Sequence, residues 1–217
     1  MRFLLILISF LLPSSGFQYW EEMTGGQQSA VLSSPGVAPI VKEYVTAPWA
    51  VSDDDKTYSL LDKLTSACSE RGVQALYFYH FNSILVKAEG ALGEPMPEYV
   101  YTLIERDPEF VFNYLRNHLE LRECYVLNLA LYFYYHDDEN LQASEQLTRK
   151  RCPKDTAQWI SAFYADVKSI KDAIDYPCSI PVRLNYKQEL RPKVTKFGER
   201  PISGAKRPRG SGGLGPQ

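Results

Sequence analysis

Apolar residues recur at three- and four-residue intervals through most of residues 52–181, and no segment alternates apolar and polar side chains between hairpin turns. A repeat near 3.6 places such residues on one face of a helix, whereas a half-buried strand needs a repeat of two. The pattern therefore restricts this stretch to an all-α fold. Asp53, Asp54 and Asp55 lead into a face of Leu60, Leu61, Leu64 and Cys68, as acids suit a helix start. A second helix runs from Val73 to about Glu89 and stops at Gly90, and a third follows Pro95 and Pro97 with Val100, Leu103 and Ile104. Asp107-Pro108-Glu109 is a cap, a proline at the first helical position and a first-turn acid. Residues 121–135 either continue that helix or form the next one. Leu141 and Leu147 mark a weaker helix up to Cys152, and Ile160, Phe163, Tyr164, Val167, Ile170 and Ile174 trace a last one that halts at Tyr176-Pro177. The expectation is one bundle of five to seven helices over 52–181.

The flanks read differently. Met1 and Arg2 precede a ten-residue apolar run at 3–12, interrupted only by Ser9 and followed by Pro13, Ser14, Ser15 and Gly16. That is the layout of a signal peptide over 1–16, and the run falls short of the roughly 20 apolar residues that cross a bilayer. Residues 17–51 hold Gly25, Gly26, Pro35, Gly36, Pro39 and Pro48 without a lasting period, which reads as a flexible leader. Residues 182–217 carry nine lysines and arginines against Glu189 and Glu199, a net +7, so the remainder holds −9 of the overall −2. This last stretch reads as a basic, disordered tail.

A signal peptide sends the chain to an oxidising compartment, where Cys68, Cys124, Cys152 and Cys178 are expected to form two disulfides. A helix over 154–175 would span roughly 30 Å, and bridged Cα atoms lie within about 7 Å, so Cys152 and Cys178 cannot pair across it. Helices over 124–135 and 139–150 look like an antiparallel hairpin whose open ends carry Cys124 and Cys152. The expected pairing is Cys124–Cys152 with Cys68–Cys178, each bridge contributing about 2–4 kcal/mol.

Ala-Leu-Tyr-Phe-Tyr occurs twice, at 75–79 and at 130–134. Three successive aromatics cannot share one helix face, because neighbours lie 100° apart. Tyr77, Phe78, Tyr79, Tyr132, Phe133 and Tyr134 are therefore the candidate site residues. Three arrangements satisfy them. Both helices can be central, with Phe78 and Phe133 inward and the phenols at the rim. They can enclose an aromatic cavity for a small lipophilic ligand. Or they can present an aromatic interface to a receptor or to a second copy of the chain.

Chemistry-bearing patterns are sparse. There is no Cys-x-x-Cys, His-x-x-x-His, Gly-x-Ser-x-Gly or Gly-rich phosphate loop. His136-Asp137-Asp138-Glu139 gathers ligand-type residues on a turn, where consecutive side chains rarely converge on one ion. His80 and His136 would meet only if the two aromatic helices lay side by side in parallel. The basic tail has few aromatics, which disfavours nucleic acid as a partner. No cofactor or metal is expected. The reading is a secreted, non-enzymatic helical protein that binds an extracellular macromolecule through an aromatic or acidic surface. The alternative is a carrier of a small lipophilic ligand held between the two aromatic helices.

Overall fold

The computed structural model describes residues 17–136 and 138–174. Among them are nine α-helices, three short 3-10 turns and no strand. The helices are α1 (Gly25–Ser33), α2 (Pro39–Thr46), α3 (Asp55–Leu64), α4 (Arg71–Leu85), α5 (Met96–Arg106), α6 (Pro108–Asn117), α7 (Leu119–Tyr135), α8 (Asp138–Arg151) and α9 (Ala157–Ile174). The expected signal peptide, the basic tail and Cys178 lie outside the described residues.

The first correction concerns residues 17–51, which are not a flexible leader. They begin with a 3-10 turn, Trp20–Glu22, and continue into α1 and α2. Thr24 and Gln27 form a capping box at the start of α1: the Thr24 N–H donates to Gln27 Oε1 at 2.8 Å and the Gln27 N–H donates to Thr24 Oγ1 at 3.3 Å. Pro39 occupies the first position of α2, where its missing N–H costs nothing. The same prolines and glycines that break the apolar period thus also start helices. Trp20, Val37, Val41 and Val45 from this stretch are buried in the main core.

α4 is the centre of the molecule. Every residue from Ala75 to Leu85 is buried, because the Trp20–Glu22 turn, α1 and α3 pack against it from the N-terminal side. On another side Phe78 meets Phe110 and Tyr114 edge to face, at 5.3 and 5.0 Å between ring centres, and Tyr125 at 6.3 Å. Each such pair is worth about 0.5–1.5 kcal/mol beyond the area it buries. Tyr125 also donates from its hydroxyl to Asn82 Oδ1 at 2.8 Å, which supplies a partner for a fully buried amide oxygen.

The C-terminal half is built around α7, which lies between α5 and α9. Asp107 caps α6 as its sequence predicts, accepting from the Phe110 N–H at 3.2 Å, with Pro108 at the first helical position. His118, with non-helical dihedrals (φ −128°, ψ 69°), separates α6 from α7, so the stretch is two helices. α8 docks across α9, α5 and α6. Tyr164 of α9 ties it down, its hydroxyl 2.9 Å from both Ser144 Oγ and Thr148 Oγ1.

The second correction concerns the disulfides: none forms among the described residues. Cys152 is a free thiol, 7% exposed. The hairpin that would have joined it to Cys124 is not the packing adopted. Because α8 crosses to α5 and α6, Cys152 sits beside Glu109 and Asp107, where burial, helped by those two carboxylates, pushes its pKa up to about 12. Cys68 also keeps its thiol, which donates to the Glu70 carbonyl at 3.5 Å. A thiolate is needed for alkylation. Native protein at neutral pH should therefore label Cys68 in seconds to minutes while Cys152 reacts only on unfolding, as followed by intact mass. Two thiols lost to a Cys124–Cys152 bridge in non-reducing peptide maps would contradict this packing.

Candidate functional site

The two copies of Ala-Leu-Tyr-Phe-Tyr share a sequence but not an environment. In α4, Tyr77, Phe78 and Tyr79 are all buried. The Tyr77 hydroxyl accepts from the Ala38 N–H at 2.7 Å and donates to the Gly36 carbonyl at 3.3 Å, fastening the α1–α2 connection. Phe78 meets rings of α6 and α7, and Tyr79 lies edge-on to His80 at 5.2 Å. This copy is core. In α7, Phe133 is buried, packing edge-on against Tyr101 at 5.8 Å and Tyr132 at 5.2 Å. Tyr132 is half-buried, and Tyr134 and Tyr135 are 39% and 76% exposed. Phe78 and Phe133 thus face different neighbours, and Phe110, Tyr114 and Tyr125 fill the space beside Phe78. His80 is enclosed by Trp20, Tyr44 and Tyr79, while His136 stacks on Tyr132, so these two histidines do not form a joint site.

What the structure assembles is a tyrosine-rich tip at the C-terminal end of α7. Tyr101 of α5 stacks on Tyr132 at 4.0 Å with the ring planes 9° apart. His136 stacks on Tyr132 at 4.1 Å, and its Nδ1 lies 2.8 Å from the Tyr132 carbonyl oxygen. Tyr134 and Tyr135 follow on the same helix end, edge to face with each other at 5.0 Å. The tip is acidic in character. Burial pushes the Tyr132 phenol up to about 12, with Tyr101, Glu98 and Glu105 adding to the shift. Burial and Glu105 likewise raise Tyr101. Both phenols stay protonated at neutral pH and can donate and accept hydrogen bonds. Of these residues, Tyr101 and Tyr135 are not among the sequence-based candidates, and His136 entered only as a metal-ligand candidate. Tyr101 could have been found on the flank of the α5 apolar face set by Val100, Leu103 and Ile104. Tyr135-His136 extends the second aromatic run by two residues.

A second constellation looks catalytic and is enclosed. Glu21 Oε1 accepts from the Tyr114 hydroxyl at 2.5 Å and lies 3.2 Å from His118 Nε2, whose Nδ1 is 3.4 Å from Glu120 Oε1. The His118 ring stacks on Tyr114 at 4.0 Å. Burial acts to raise Glu21, but hydrogen bonds from His118 and Tyr114 outweigh it and hold the carboxyl below its usual range. Burial acts to lower His118, but Glu21 and Glu120 outweigh it and raise the imidazole. Carboxylate and imidazolium are both favoured, so the group clamps the N-terminal turn to the α6–α7 junction. The Glu21 side chain is only 8% exposed, which leaves a substrate no approach.

Among the described residues, no group of three His, Cys, Asp or Glu side chains converges as a metal site, and no helix is long and apolar enough to cross a membrane. Comparison of the chain with protein-family models, with curated proteins and with solved structures gave no match.

Proposed function

We propose that this is a secreted, non-enzymatic helical protein that binds a macromolecular partner through the tyrosine tip of α7. The observation that carries the reading is the exposure of Tyr134 and Tyr135, two of the three large exposed apolar side chains among the described residues. Both stand at the end of the helix that carries the Tyr101–Tyr132–His136 stack. Tyrosine offers broad contact area at little entropic cost and is enriched in interface cores. Glu98 and Glu105 beside the pile fit a partner that brings arginine or lysine, through ion pairs at the rim and cation–π contacts on the rings. The partner is thus an extracellular protein with a basic patch. The carrier alternative has less support, since the rings beside Phe78 occupy the volume a ligand between the aromatic helices would need.

The test uses competition. The chain is secreted from cultured cells with a benzophenone side chain in place of His136 and irradiated in conditioned medium. One saturable macromolecular adduct is expected, competed by excess wild-type protein but at least tenfold less well by Tyr134→Ser/Tyr135→Ser, a loss of about 1.4 kcal/mol or more. Thermal stability of the double variant should match wild type, because both side chains face solvent. Equal competition by the variant, or retention of the chain inside the cells, would overturn the proposal. An adduct of the chain with itself would replace the basic partner with a homodimer.

A further inference from the structure

We propose that a second, separate site, the cleft between the α3–α4 loop and the α5–α6 junction, binds a small organic monoanion: an apolar body bearing one carboxylate. The cleft has a volume of about 280 Å³, at the small end of ligand pockets. Its walls are of two kinds. Leu64, Phe78 and Phe110 give it an apolar floor, and Arg71, Arg106 and Gln74 give it a polar edge.

The charges at that edge do not cancel. Asp107 is the one carboxylate lining the cleft, and it is fully engaged. Its Oδ2 accepts from Arg71 Nη1 at 2.6 Å and from Gln74 Nε2 at 2.8 Å, and its Oδ1 accepts from the Phe110 N–H at 3.2 Å. Arg71 and Asp107 neutralise one another. Arg106 remains, with no carboxylate partner among the described residues. Arg106 is exposed at the mouth of the cleft, where the partial burial it has acts to lower its pKa and no counter-charge acts against that. Adjacent to it, α4 opens without a side-chain cap, since the Glu70 carboxylate accepts from Ser34 Oγ at 2.8 Å instead. A bidentate carboxylate suits a free guanidinium. One uncompensated positive charge matches a monoanion, whereas a phosphate dianion would bring excess negative charge beside Asp107 and would leave the apolar floor unused.

The experiment exploits Cys68, whose thiol lines the cleft. The full chain is titrated with hexanoate, with hexanol (the same apolar body uncharged) and with inorganic phosphate at matched ionic strength. Binding is read by calorimetry, and occupancy by the rate of Cys68 alkylation. Hexanoate is expected to bind at one site at low-millimolar concentration and to slow alkylation. Hexanol and phosphate should each bind at least tenfold more weakly, the size of one charge-assisted hydrogen bond. Arg106→Gln should weaken hexanoate at least tenfold with the melting temperature unchanged, and Arg106→Lys should recover part of the loss. Equal affinity for hexanol, undiminished protection of Cys68 in Arg106→Gln, or no protection at all would overturn the proposal. None of these readouts depends on the tyrosine tip.

Discussion

Trp20→Ala is expected to lower the stability of the whole fold by about 3–5 kcal/mol, the usual cost of deleting a large buried aromatic. Trp20 is 2% exposed, its ring centre lies 6.4 Å from that of His80, and its carbonyl accepts from Gln28 Nε2 at 2.9 Å. Truncation opens a cavity where the N-terminal turn meets α4, and α4 is covered on all sides and cannot shift to fill it. Domains of this size are stable by only about 5–15 kcal/mol, so the loss is a large share of the total. Urea unfolding at pH 7 should show the midpoint falling with the slope unchanged. If residues 17–51 were a loose leader, the change would be nearly silent, within about 0.5 kcal/mol.

Stability should fall on both sides of a maximum near pH 6.5, with the larger drop in acid. His80 is buried among aromatic rings with no hydrogen-bond partner for Nε2, and burial lowers its pKa from 6.5 to about 4. Between those values the unfolded chain binds the proton and the folded one does not, so stability declines as pH falls through the window, by about 3 kcal/mol in all. Glu21 adds to the acid limb. Its folded pKa is depressed, so its contribution is present above its unfolded value and is lost as pH falls through the folded one. His118 acts in the opposite direction. Its folded pKa is raised, so its contribution is complete below 6.5 and disappears as pH rises through the folded value. His80→Phe should flatten the upper part of the acid limb, and His118→Gln should flatten the alkaline limb. Denaturant midpoints measured across this range for the three proteins check it. An unchanged acid slope in His80→Phe would mean that the imidazole is hydrated in the folded state.

Helix-start chemistry was the most legible part of the sequence. Asp107-Pro108, Asp54 ahead of α3 and the apolar face of α9 all read directly, because they are local signals. The N-terminal segment was misread because α1 and α2 are short, nine and eight residues, too short for a 3.6 repeat to show through glycines and prolines. Its capping box at Thr24 and Gln27 was the signal available. α8 read as weak because hydroxyls of Ser144 and Thr148 bonded to Tyr164 hold it, where a long apolar stripe would otherwise do so. The Cys124–Cys152 bridge is not formed for a tertiary reason: helix spacing gives equal arms for α7 and α8, but it carries no information on which neighbours α8 crosses. The aromatic repeat showed the same limit. Identical pentapeptides gave one buried and one half-exposed environment, since burial depends on how many elements cover a helix and not on the helix alone.

The central claim is that the residues between 17 and 46 belong to the same cooperative core as α4, α7 and α9. Native-state hydrogen–deuterium exchange read by peptide mass spectrometry tests it most directly. Amides of α1 and α2 should be protected and should open together with those of α4 as denaturant is added. Exchange of the α1 and α2 amides at unfolded-chain rates, while α4 through α9 stay protected, would contradict it.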